Sequence, residues 1–125
     1  MAEFTEQITF LSVTDLERSA GFYEKVLGLV LVTDQGDCRI YRVGGDAYLG
    51  LCERTGAAAA AGVIVTLVTD DVDGWHIRLT EQEVFCEKAP SYHPKYSIYQ
   101  AFYRDPDGHL IEIQRFDDSA WSEPL

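Results

Sequence analysis

VTDLERSAGFYEKVLGL, residues 13–29, carries its own punctuation for a helix. Thr14 and Glu17 have the spacing of a capping box, in which hydroxyl and carboxylate each satisfy an unpaired backbone N–H of the first turn. Gly28 is suited to the left-handed conformation that ends a helix. Leu16, Ala20, Tyr23 and Val26 or Leu27 recur at helical spacing, which predicts one apolar face laid against a sheet.

Around this helix the pattern is that of strands. QITFLSV (7–13) precedes it, and LVLVT (29–33), CRIYRV (38–43) and AYLGLCE (47–53) follow, with Asp34-Gln35-Gly36 and Gly44-Gly45-Asp46 as turns. GAAAAAG (56–62) reads as a linker. The second half then repeats the first: SVTDL at 12–16 is matched by LVTDD at 67–71, with a strand before it and a helix after it whose stripe is Val72, Trp75 and Leu79. Residues 84–88 resemble a strand, 90–95 a loop, 97–103 a strand and 109–116 the last strand. These readings predict an α+β fold: two tandem βαβββ units, about 5–55 and 63–116, forming a concave mixed sheet with the helices on the outer side, within one domain spanning 1–125. Pairing such units leaves a concave surface between them where a ligand can sit.

The totals exclude several classes of function. At 125 residues, 46% of them hydrophobic and 25% charged, the chain is long enough for a real core without metal or disulfide staples. No apolar run approaches the ~20 residues that cross a bilayer, and no secretory leader is recognisable, so a cytoplasmic protein with no membrane partner is expected. A net charge of -11 repels phosphate backbones, which argues against nucleic acid. Cys38, Cys52 and Cys86 are odd in number and lack CxxC spacing, so reduced thiols are expected.

VTDLERSAGFYEKVLGL followed by FYRDPDGHLIEIQRF (102–116), on a duplicated βαβββ pattern, resembles the vicinal oxygen chelate superfamily of glyoxalase I, extradiol dioxygenases, fosfomycin-modifying enzymes and bleomycin-resistance proteins. The resemblance covers nearly the whole chain. It implies four metal-ligand positions, two from each unit, pointing into the concave face. The first falls on Ile8, the second on or near Gly50 and the third on Ile64, none of which offers a ligating side chain. Only the fourth, Glu112, is kept. A catalytic divalent site takes about three protein ligands, so a metal is disfavoured and no cofactor is expected.

Among the remaining candidates, His109 lies three residues before Glu112 and faces the other way by strand alternation. His76 falls on the packing stripe of the second helix. His93, in a loop, is a candidate ligand contact or base near neutral pH. Cys52 shares the parity of Gly50, and Gln100 and Phe102 point inward with Glu112. Tyr92, Tyr96, Tyr99 and Tyr103 suit packing or an interface more than a pocket rim. The resulting ligand-binding set is Ile8, Gly50, Cys52, Ile64, His93, Gln100, Phe102 and Glu112, with Glu112 as the one catalytic candidate. The expected function is metal-independent binding of a small apolar or aromatic molecule, and the resemblance implies a homodimer. The alternative is a lyase or dioxygenase-like enzyme with a displaced metal site, such as Glu112 with His93, or with Glu112 as general base.

Overall fold

A computed structural model describes residues 1–125. The chain divides into two compact units, Met1–Ala60 with Pro106–Gly108, and Ala61–Asp105 with His109–Leu125. Each unit contains a four-stranded mixed sheet and one helical segment, in the same order along the chain.

In the first unit β1 (Gln7–Val13), β2 (Val30–Asp34), β3 (Cys38–Gly44) and β4 (Ala47–Glu53) are ordered β1-β4-β3-β2. The return strand β4 therefore lies inside the sheet, parallel to β1 and antiparallel to β3. The first helix is shorter than its sequence signals suggest: α1 runs over Leu16–Gly21 and continues as one wider π-type turn over Phe22–Val26. Its buried residues Leu16, Ala20, Tyr23 and Leu27 are the expected stripe, and they cover Leu11, Val13, Leu49 and Leu51 on one face of the sheet. Gly28 has φ 74°, as an αL terminator requires.

The cap differs from the expected box. Asp15, not Thr14, is the N-cap, and its carboxylate accepts from the Arg18 N–H at 3.2 Å. Thr14 is instead engaged by Asp107. One Asp107 oxygen accepts from the Thr14 hydroxyl at 2.6 Å and from Arg18 Nη2 at 3.0 Å, and the other accepts from the Ser19 hydroxyl at 3.2 Å. Glu17 turns outward to pair with Arg39.

The second unit repeats this order with β5 (Ile64–Val68), α2 (Val72–Glu81), β6 (Cys86–His93), β7 (Ile98–Arg104) and β8 (Leu110–Phe116), arranged β5-β8-β7-β6. Asp71 caps α2 by accepting from the Gly74 N–H at 2.9 Å. Val72 and Leu79 are buried against the sheet face formed by Ala101, Tyr103, Ile111 and Ile113. His76 takes the packing role expected of it: its Nδ1 lies 2.7 Å from the hydroxyl of buried Tyr103.

β6 departs from the predicted loop over 90–95, because it continues through Pro90 to His93. It is an edge strand with irregular register between Lys88 and Ser91, the setting in which a proline without an N–H is tolerated. His93 is therefore the last residue of a strand, not a loop residue.

The cysteines require a second correction. Cys38 and Cys52 form a disulfide, leaving Cys86 as the free thiol. The β3–β4 hairpin closes on the Gly44–Ala47 pair, and a register shift between Arg42 and Gly44 brings Cys38 into line with Cys52. The antiparallel register thus sets them directly opposite each other, with Cα atoms 4.1 Å apart. Cys52 is accordingly no thiol ligand in this state.

Candidate functional site

Strand pairing shows which side chains share the sheet face opposite each helix, because directly paired residues project to the same side. In the first unit one row across this face is Ile8, Tyr48, Arg42 and Val30, and the next is Phe10, Gly50, Ile40 and Thr33. Ser12, Cys52 and Cys38 follow. Ile8, Gly50 and Cys52 therefore lie on one face as expected, but in three successive rows.

The second row holds an arrangement that period-2 reading of QITFLSV would have found and that a search for ligating residues passed over. A Cβ built at Gly50 would fall inside contact distance of Phe10 Cδ1 and Cε1, with Cγ at 3.2 Å. The Phe10 ring lies across the backbone of β4 at Gly50, on or near which the superfamily resemblance puts the second metal-ligand position. Ile8 and Phe10 are 43% and 52% exposed, so this edge of the sheet is apolar and uncovered within the chain.

An open cavity of about 270 Å³ lies on the same face, lined by Glu6, Ile8, Val32, Thr33, Ile40, Arg42 and Tyr48. Of these, only Ile8 was expected from the sequence. Arg42 and Tyr48 are cross-strand partners, and the guanidinium sits 5.6 Å from the tyrosine ring centroid.

In the second unit the rows are Thr66, Glu112, Phe102 and Lys88, then Gln114, Gln100 and Ser91. Phe102 and Gln100 thus join Glu112 as the alternation predicts. Glu112 is 8% exposed, and burial pushes its carboxyl above the ordinary range while a hydrogen bond from the Thr66 hydroxyl at 2.9 Å partly offsets the rise. Gln100 and Gln114 are buried beside it. Gln114 shares the parity of Glu112 on β8, whereas only the β5–β8 register brings Thr66 beside it. Ile64 pairs with Leu110, one row from Glu112, and is 48% exposed.

His93 stands apart. It pairs with Ile98, which pairs with Phe116, four residues beyond Glu112 on β8, or about 13 Å at ~3.3 Å per residue. Its ring stacks on Tyr96 at 4.7 Å, and its buried Nδ1 has no hydrogen-bond partner. His109 is buried, its N–H bonded to Asp105 Oδ1 at 2.8 Å in the turn that precedes β8. The tyrosines divide as well. Tyr103 is buried under α2, Tyr99 donates to Asp73 at 2.6 Å, and Tyr92 and Tyr96 are exposed. No group of three His, Cys, Asp or Glu side chains comes together in an arrangement suited to a metal ion.

A family model described as the Glyoxalase/Bleomycin resistance protein/Dioxygenase superfamily matches residues 6–113. The Bacillus subtilis (strain 168) protein YraH, described as uncharacterized, is 27% identical over 119 residues, covering 84% of this chain and 93% of YraH. Among solved structures, TioX from Micromonospora sp. ML1 superposes with a TM-score of 0.75 at 22% identity, covering 90% of this chain and 98% of TioX. A lactoylglutathione lyase from Agrobacterium tumefaciens gives 0.73 at 24% identity, covering 92% and 94% of the two chains. At these identities the likeness of the structures is one of fold.

Proposed function

Because the chain belongs to the glyoxalase/bleomycin resistance protein/dioxygenase superfamily, we propose that it binds a small apolar or aromatic molecule without a metal, using the Glu112 carboxyl as a polar anchor. The observation that supports this reading is the Phe10 ring lying over Gly50. An aromatic ring occupies the space that a ligating carboxylate would need, and the other family positions in the first and second units, Ile8 and Ile64, are apolar. Within each unit such side chains offer stacking and dispersion instead of coordination.

In the second unit the anchor is built from Glu112 with its Thr66 donor, flanked by Phe102 and the Gln100 and Gln114 carboxamides. A carboxyl with a raised pKa gains most from a ligand that donates a hydrogen bond to it. A second reading, Glu112 as general base for an enzymatic proton transfer, is favoured by the same raised pKa. We further propose that the chain works as a homodimer, a second copy being one way to cover the exposed residues Ile8, Phe10, Ile64 and Val68.

Native mass spectrometry of protein purified without chelator, with elemental analysis, tests these readings together. Metal-free protein that takes up an aromatic ligand at micromolar concentration supports binding. Stoichiometric zinc, nickel, manganese or iron that is lost on Glu112→Ala overturns it.

A further inference from the structure

We propose that Arg42 and Tyr48 form a clamp for a flat aromatic carboxylate on the first sheet. The inference rests on the reading that this chain binds small molecules, but on different residues of it. Arg42 on β3 and Tyr48 on β4 are direct cross-strand partners at the side of the 270 Å³ cavity. The guanidinium lies over the tyrosine ring, and its Nη2 donates to Tyr48 Oη at 3.4 Å, the outer limit of a hydrogen bond. These contacts hold the planar fork beside the cavity and leave most of its five N–H donors uncommitted.

The side of the cavity nearest this fork carries three apolar side chains, Ile8, Ile40 and Val32, while Thr33 and Glu6 line the rest. Ile8 pairs with Tyr48 from β1, Ile40 lies two residues before Arg42, and Val32 sits in the register shift of β2. A permanently charged, planar donor pair beside a group of apolar side chains matches a ligand with a planar acceptor pair at the edge of an aromatic ring system. The volume is just below the ~300–1,000 Å³ of drug-sized sites, which suits about one or two fused rings.

The nearby carboxylates do not consume this capacity. Glu6 and Asp46 act on Arg42 through space, whereas the close arginine ion pairs of this unit belong to Arg18 and Arg39. A ligand carboxylate can therefore take the bidentate position. A cationic ligand at the same place would meet the guanidinium head on.

The test uses the full chain, titrated with naphthoate and with its neutral isostere naphthamide, and read by amide NMR shifts and by fluorescence. Naphthoate is expected to shift the amides around Arg42 and Tyr48 in a saturable way and to bind at least about 10-fold more weakly to Arg42→Gln. Naphthamide affinity should be unchanged in that variant. Arg78→Gln, which removes the same charge from the exposed side of α2, should leave naphthoate binding unchanged. Tyr48→Leu, which removes the contacts that hold the Arg42 fork, should also weaken naphthoate.

Equal naphthoate affinity in Arg42→Gln and the unaltered protein overturns the clamp. So does a set of shifts centred on Glu112, an outcome that leaves small-molecule binding intact. An absence of shifts with either probe overturns the clamp and counts against the small-molecule reading as well.

Discussion

The ring of Phe10 lies where a side chain on Gly50 would have to begin. The two residues are paired across the parallel β1–β4 ladder, so a substitution at one is felt first by the other. Phe10 is half exposed and its ring has room to swing outward. Gly50→Ala should therefore cost only about 1 kcal/mol, the low end for overpacking, and the cost should vanish on a Phe10→Ala background. A double-mutant cycle by urea denaturation measures this, and additive effects of the two changes would show that the ring does not depend on the glycine.

Glu112 makes stability depend on pH in a definite direction. Its folded-state pKa is raised above the ordinary value of 4.5 by burial, so folding favours the protonated carboxyl. The stability associated with that shift is fully present below the unfolded pKa and is lost as pH rises through the folded one. Glu112→Gln, neutral at every pH, should thus be more stable than the unaltered protein at pH 7 and should lose this advantage below about pH 4.5. Thr66→Val should raise the carboxyl further by removing its donor. Urea midpoints followed from pH 4 to pH 8 check the sign.

Sequence patterns revealed the strands, the repeat and the face that Glu112 shares with Phe102 and Gln100, because alternation is a local property of the chain. β1 and β4 run over the residues their patterns mark. What was not legible depended on partners far along the chain. Thr14 looks like a cap in isolation, yet Asp107 takes its hydroxyl and leaves Asp15 to cap α1. His93 looked like a loop residue because Pro90 ordinarily breaks a strand, and only the edge position of β6 explains why it does not here. Arg42 and Tyr48 were passed over because their importance lies in facing each other, which requires the hairpin register.

That register also decides the cysteines. The disulfide between Cys38 and Cys52 closes a loop of about 15 residues, for which chain entropy predicts a contribution of about 3 kcal/mol. Reduction should lower the urea midpoint accordingly, and Cys38→Ser/Cys52→Ser should be insensitive to reductant. Thiol titration of the unfolded, unreduced chain should find only Cys86. Since such bridges are uncommon in a reducing cytoplasm, three titratable thiols in rapidly alkylated cell extract would mean that the bridge is open in the cell.

Asp107 should matter more for stability than its place in a tight turn suggests. Its side chain is 4% exposed and receives donors from Thr14, Arg18 and Ser19. Asp107→Ala takes the acceptor from the Thr14 and Ser19 hydroxyls and leaves Arg18 Nη2 only its 2.8 Å bond to the Thr14 hydroxyl, which should cost about 2–4 kcal/mol. Asp107→Asn retains one acceptor oxygen and should recover part of the loss. Equal stability of the alanine variant and the unaltered protein would show that water replaces the carboxylate.

The strand order has a consequence for how the molecule can be made. In each unit the strand that comes last along the chain is the inner neighbour of the strand that comes first: β4 receives β1, and β8 receives β5. During synthesis β1 has no ladder to join until residue 53 has been added, and β5 has none until β8 is complete near residue 116. A chain released before residue 110 would keep the β6–β7 hairpin but lack the centre of its second sheet. The final structured strand is therefore a keystone, and early termination a few residues upstream of it should yield an insoluble fragment instead of a trimmed protein.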